Sequence, residues 1–141
     1  MPDESSFEKA GLSKRLIAKL VDILVAWVLS LFLPPLGIIL GLVYLGLADG
    51  FQRGQSLGKM VLGLEVVGSD GGACDLRSSF YRNLPFVFTF LCVSIPLLGW
   101  ILLIIVGLPV IAIEIWLMAT DERGERLGDR IAGTHVVEGL H

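Results

Sequence analysis

"RGQSLGKMVLGLEVV", residues 53–67, lies between two long apolar runs, and "RGERLGDRIAGTHVV", residues 123–137, nearly repeats it 70 positions later. Seven of the fifteen positions are identical without a gap: Arg53/Arg123, Gly54/Gly124, Leu57/Leu127, Gly58/Gly128, Gly63/Gly133, Val66/Val136 and Val67/Val137. An ungapped match of this kind predicts an internal repeat, and a repeat sets the architecture before any single element does.

The runs flanking these segments are apolar enough to argue for a membrane. Leu16–Phe51 holds only Lys19, Asp22 and Asp49 as charges, and Asn83–Ala119 holds only Glu114. As a straight helix rising about 1.5 Å per residue, each run is about 54–56 Å long, nearly twice the roughly 30 Å of a hydrocarbon core. Each is broken near its middle, by "LPPLG" (residues 33–37) and "IPLLG" (residues 95–99). Proline removes a helix donor and glycine permits a tight reversal. The pattern predicts an all-α integral membrane protein with four short transmembrane helices of about 15–20 residues, arranged as two tandem helical hairpins. Each hairpin is followed by an interfacial glycine-rich segment, a short helix plus a strand, on the cytoplasmic side. The expected organisation is a polar N-terminal tail, residues 1–13, and one membrane domain, residues 14–141, with internal repeats at about 14–69 and 82–139. The chain is 54% hydrophobic and 18% charged, against about 25% charged in ordinary globular domains. A soluble domain of 15.3 kDa has too little polar surface to hide two such runs.

All eleven Lys and Arg fall in three segments: Lys9 to Lys19, Arg53 to Arg82, and Arg123 to Arg130. Neither proline turn has any. Basic residues collect on the cytoplasmic side, so both termini and the central loop are expected to face the cytoplasm, as in a bacterial cytoplasmic (inner) membrane. The charge is not basic enough to make nucleic acid a partner. Met1–Lys9 has no apolar stretch after a basic start and does not read as a secretory signal. Cys74 and Cys92 stand in unlike surroundings and form no disulfide framework. His135 and His141 have no cysteine or carboxylate at zinc-ligand spacing. No nucleophile–base set, phosphate loop or dinucleotide fingerprint is present, so neither an enzyme nor a cofactor is expected.

In the repeated segment, Gly54-x-x-x-Gly58 and Gly124-x-x-x-Gly128 have the spacing that lets helix backbones approach closely. The β-branched ends predict short strands, with Val66–Val67 and Val136–Val137 paired across a pseudo-two-fold axis. Gly54, Gly58, Lys59, Gly63, Gly124, Gly128, Asp129 and Gly133 then form a packing collar under the helices. Lys59 aligns with Asp129. Near a two-fold the two charges would meet and clamp the halves, or each would face water and headgroups, the reading favoured by the small worth of exposed ion pairs.

"KRLIAKLVD" with Arg15 and Asp22, Asp49 ending the second helix, "GQSLGKMVLGLEVV" and "YRNLP" together resemble the RDD family of small multi-span bacterial and archaeal membrane proteins. That family is named for an arginine and two aspartates at these places. The resemblance implies transport, in some members of sodium and protons, as the usual suggestion. "LGDRIAGTHVV" resembles the family's closing motif, with Gly128 where a histidine is common.

Ionisable residues in a bilayer are functional candidates by default. Asp22 lies two turns from Arg15 on one helix face, with Lys19 beside it. The candidate ion or proton site is therefore Arg15, Asp22, Asp49 and Glu114, because burial disfavours the charged form of a carboxyl as proton-coupled carriers require. A competing expectation is a salt-bridge cluster of Arg15, Lys19, Asp22 and Asp49 that only fixes helix packing. Trp100 and Trp116 fall at the interfaces, whereas Trp27 falls mid-membrane and is expected to pack inside. The readings left open are a small cation- or proton-coupled transporter in a homo-oligomer, and a scaffold or accessory subunit of a larger membrane complex.

Overall fold

The computed structural model describes residues 10–32 and 34–138. Met1–Lys9, Leu33 of the first proline turn and His141 lie outside them. Helix α1 spans Leu12–Leu31 and α2 spans Leu36–Leu47, extended by a 3-10 turn, Ala48–Gly50. A five-residue helix α3, Leu57–Val61, leads into strand β1, Leu64–Gly68. Helix α4, Leu76–Ser94, follows the capping side chain of Asp75, which accepts from the Ser78 amide at 2.9 Å. Helix α5, Leu98–Leu102, runs through a π turn, Leu103–Gly107, into α6, Leu108–Thr120. Helix α7, Leu127–Ala132, and strand β2, Thr134–Glu138, close the described chain.

The burial pattern is the reverse of a water-soluble domain. On α1 the inward stripe is Arg15, Ala18, Asp22 and Ala26, at helical spacing, while Leu20, Leu24 and Leu31 face out. Large aliphatic side chains cover the outside of α2 and α6 in the same way. Burying arginine and aspartate while exposing leucine is unfavourable in water. In an apolar surrounding it becomes the stable arrangement, because there polar groups must find partners within the protein. The continuous helix Leu98–Thr120, 23 residues and 17% buried, is long and apolar enough to cross a membrane. Helix α1 carries too many charges to meet the same test, and α2 with its turn is too short. Leu36–Gly50 makes up the shorter apolar element.

The helices pack in a curved row. Helix α1 lies on α2 and α2 on α4, around Ala26, Leu45 and Phe90. A Cβ on Gly41 would stand 2.8 Å from the Ala26 carbonyl oxygen, so glycine lets α1 and α2 close up. Helix α6 leans on α4 and hardly touches α1. Beneath the row, α3 packs on α1 and α7 packs on α4.

The two matching segments fold alike, as helix, turn and strand. Their strands pair antiparallel, with Val66 opposite Val136 at the centre and Leu64 opposite Glu138 at one end. The chain therefore has a small two-stranded sheet as well as helices, as the β-branched pattern predicts. Gly63 and Gly133 make the helix-to-strand turn in the left-handed region, with φ of 65° and 63°, where side chains other than glycine are strained.

The glycine spacing works differently from expectation. Gly54 and Gly124 precede the short helices, so the four-residue spacing does not lie on one helix face. Gly58 and Gly128 are the ones that bring the short helices onto α1 and α4: a Cβ there would stand 2.0 Å from the Ala18 carbonyl oxygen and 2.2 Å from that of Arg82. Gly54 lies instead against strand β1, where a Cβ would stand 2.2 Å from the Val66 carbonyl oxygen. Trp27 also departs from expectation. It is 48% exposed and points outward with Trp100 and Trp116.

Candidate functional site

The buried charges gather at the end of the helices that carries α3, α7 and the sheet. Asp129 is at the centre. As the third residue of α7, its Oδ2 accepts from the Arg126 amide at 3.2 Å, tying down the first turn. The same carboxylate accepts from Arg15 Nη2 at 2.9 Å, stands 2.9 Å from Arg82 Nη2, and lies 3.5 Å from Arg126 Nε. Burial alone would raise the Asp129 carboxyl's pKa, but Arg82, Arg126 and Arg15 outweigh it and hold the group well below the usual carboxylate range. Arg15 Nη1 also donates to the Gly124 carbonyl, so α1 is bolted to both the loop and the start of α7.

Arg82 links this cluster to a second one. Its Nε stands 3.5 Å from Asp49 Oδ2, Asp49 Oδ1 accepts from the Lys59 ammonium, and Asn83 Nδ2 donates to Asp49 Oδ2 at 3.1 Å. Burial lowers the Lys59 pKa from its ordinary value, against the pull of Asp49. The expected alternatives for the aligned pair Lys59 and Asp129 both give way here. The two residues do not pair with each other and neither faces water; each is buried, and Arg82 with Asp49 stands between them. Removing two charges from solvent this completely is unfavourable unless each meets a counter-charge; Asp49 supplies it for Lys59, and Arg82 with Arg15 supplies it for Asp129.

Among the described residues, Asp22 is held without a salt bridge. Its Oδ1 accepts from Tyr44 Oη at 2.9 Å and from the Gly58 amide at 2.9 Å, and its Oδ2 accepts from Ser56 Oγ at 2.6 Å. The expected cluster of Arg15, Lys19, Asp22 and Asp49 is thus not the one that forms. Arg15 goes to Asp129, Lys19 donates to Asn83 Oδ1 at 2.8 Å and lies over the Phe86 ring, and Asp49 goes to Lys59 and Arg82.

Glu114 stands where Tyr44 stands in the first segment's numbering, and it does for α7 what Asp22 does for α3. Its Oε1 accepts from the Gly128 amide at 3.3 Å, as Asp22 accepts from Gly58. Its Oε2 is buried with no hydrogen-bond partner among the described residues, 3.7 Å from Arg126 Nε. One carboxylate oxygen is therefore left with an ion pair beyond hydrogen-bond length.

Between α1, α4 and α6 lies a cavity of about 250 Å³. Its polar end is lined by Arg15, Lys19, Lys59, Arg82 and Arg126 with Asp22 and Glu114, and its other walls are apolar, among them Leu20, Phe86 and Ile111. Of the four sequence-predicted site residues, Arg15, Asp22 and Glu114 line this cavity; Asp49 does not. The residues that sequence reasoning missed are Arg82, Asn83, Tyr44, Ser56 and Arg126. Arg82 and Asn83 were legible as the polar pair opening the second apolar run. Tyr44 was legible as the residue aligned with Glu114.

A helical protein that hides its charges inside and turns a 23-residue apolar helix outward belongs to the class of membrane proteins. The family model of the RDD family matches residues 33–133, more than two thirds of the chain, and the chain belongs to that family. Arg15 and Asp22 lie ahead of the matched residues. No curated protein and no solved structure matches the chain.

Proposed function

We propose that this protein is a small multi-pass carrier of the bacterial cytoplasmic membrane. Its four helical elements, α1, α2, α4 and the α5–α6 helix, cross as two tandem hairpins with both termini in the cytoplasm. The cavity between α1, α4 and α6 binds a charged solute, and Glu114 exchanges the proton that couples to it. The observation carrying this reading is the Glu114 carboxylate, buried beside the cavity with one oxygen that has no hydrogen-bond partner among the described residues. Asp22, Asp49 and Asp129 have their acceptor capacity filled by the protein itself, and they act as the framework that holds α3 and α7 against the helices. The matched segments act as one duplicated unit, which accounts for strands paired about Val66 and Val136.

Proteoliposomes with an imposed pH gradient test the reading. Glu114→Gln, which keeps an acceptor for the Gly128 amide, is expected to abolish ion-driven proton flux with folding intact. Asp22→Asn is expected to lower stability while the flux per folded molecule remains. Undiminished flux in Glu114→Gln would remove the carrier reading.

The saturation of three of the four carboxylates favours a second reading, a rigid scaffold whose partner docks on the α3/α7 collar. Exposed Leu57, Val61, Leu127 and Ile131 on that collar are the contact candidates. Co-purification of a larger membrane complex with no intrinsic flux would support it.

A further inference from the structure

The seams between helices are unequal in a telling way. Helices α1 with α2, and α4 with α5–α6, form the two hairpins; α3 packs on α1 as α7 packs on α4. A two-fold through the Val66/Val136 pair exchanges α1 with α4 and α2 with α6. The closed α2/α4 seam, with Ser79 Oγ donating to the Gly46 carbonyl at 2.9 Å and Phe80 against Gly46, therefore has α6/α1 as its counterpart. That counterpart is open, and the cavity occupies it. What fills the opening must match its lining.

The lining is asymmetric in charge. Five cationic side chains face the cavity against two carboxylates, while their main counter-charges, Asp49 and Asp129, do not line it. Arg82, wholly buried, has its Nη1 without a hydrogen-bond acceptor among the described residues. Above this end the walls are aliphatic and aromatic, and the flanking faces of α1 and α6 carry exposed leucine and isoleucine. Basic side chains beneath an apolar slot between helices have the chemistry of an anionic-lipid site.

We propose that the α1/α6 opening is a lateral site for a lipid with an anionic phosphate headgroup, the phosphate held by Lys19, Arg82 and Arg126 and one acyl chain lying along Leu20 and Ile111. The proposal rests on the membrane-spanning reading of α1 and α6 and makes the lipid headgroup the charged ligand of that cavity; it does not rest on proton coupling at Glu114. A phosphate oxygen would accept from the unpartnered Arg82 Nη1, and Lys19 at the rim would set the preference for an anionic over a zwitterionic headgroup.

Full-length protein, stripped of lipid in a neutral detergent, is titrated with short-chain phosphatidylglycerol, short-chain phosphatidylcholine and glycerol 3-phosphate, with binding read by native mass spectrometry and thermal shift. The expected result is at least about tenfold tighter binding of phosphatidylglycerol than of phosphatidylcholine, and no saturation by glycerol 3-phosphate. Lys19→Gln, which keeps a side-chain hydrogen bond to Asn83, should weaken phosphatidylglycerol about fivefold, the effect of one basic group at an anionic surface. Ile111→Trp, which fills the apolar wall and leaves every charge, should abolish the thermal shift even if Lys19→Gln folds poorly. Equal binding of the two lipids, or saturation by glycerol 3-phosphate, overturns the proposal; so does unaltered lipid binding in Ile111→Trp. Glu114→Gln separates the two readings, since removing one of the two cavity carboxylates, 3.7 Å from Arg126, should keep or tighten phosphatidylglycerol binding while flux is lost.

Discussion

Replacing Asp129 by Asn removes the charge on which three guanidinium groups converge and changes little else. The amide oxygen can still accept from the Arg126 backbone, so the start of α7 keeps its cap. Arg15 and Arg82, both buried, lose the carboxylate that stands 2.9 Å from each. Arg82 retains Asp49 at 3.5 Å, whereas Arg15 retains only the Gly124 carbonyl. Removing one partner of a buried ion pair costs about 3–5 kcal/mol, because the remaining charge cannot return to water. For a chain of this size that is a fall of about 10–17 °C in Tm. Thermal unfolding in a mild detergent, read by size exclusion, gives the number. The double variant Arg15→Met with Asp129→Asn should be less destabilised than the sum of its singles, since the stranded guanidinium is gone. As a control, Glu138→Gln, which breaks the exposed Lys14–Glu138 pair of 2.6 Å, should shift Tm by no more than about 2 °C. A fully additive double variant, or an Asp129→Asn protein as stable as its parent, would refute the account of Asp129 as the centre of the framework.

The depressed Asp129 pKa sets a direction with pH. A carboxyl whose folded pKa lies below its unfolded value of about 3.9 contributes stability above that pH and loses it as pH falls further. Tm should therefore drop between about pH 4 and pH 3 more steeply in the parent than in Asp129→Asn. Gly58→Ala and Gly128→Ala each place a methyl about 2 Å from a backbone oxygen, and should cost upwards of about 1–3 kcal/mol in the same thermal assay. Gly11→Ala, with open space around it, should change Tm little. Single cysteines at Leu36 and Leu97, in a chain with the buried Cys74 and Cys92 replaced, should react with an impermeant reagent only from the periplasmic side. A cysteine at Ser69 should react only from the cytoplasm. Reversed labelling would invert the proposed orientation.

Local pattern carried much of the architecture. The proline turns end α1 and α4 close to where the broken apolar runs place them, because there proline's missing donor coincides with a glycine that permits the reversal. Pro85, with no such neighbour, lies inside α4 without ending it. The pairing of Val66 with Val136 was legible because β-branched residues at equivalent places in two matching segments can meet only about one axis. Clustering of buried charge at one end was legible too, from the basic residues flanking each apolar run. The partners within the cluster were not. Charge and spacing along α1 offered Lys19 and Arg15 to Asp22, but Asp22 took a tyrosine, a serine and an amide from α2 and α3. The hydroxyls of Tyr44 and Ser56 carry no periodicity or charge signal, so nothing in one dimension marks them as its partners.

From its residues alone this chain was bound to be helical, broken twice by proline, basic on one side and built on a recurring glycine-rich segment, since composition and hydrogen-bonding capacity act locally. Which carboxylate meets which guanidinium, and which seam stays open, depended on how α1, α4 and α6 come together. Ion pairing and cavity shape arise between residues as far apart as Arg15 and Asp129, and only the folded arrangement brings them within reach.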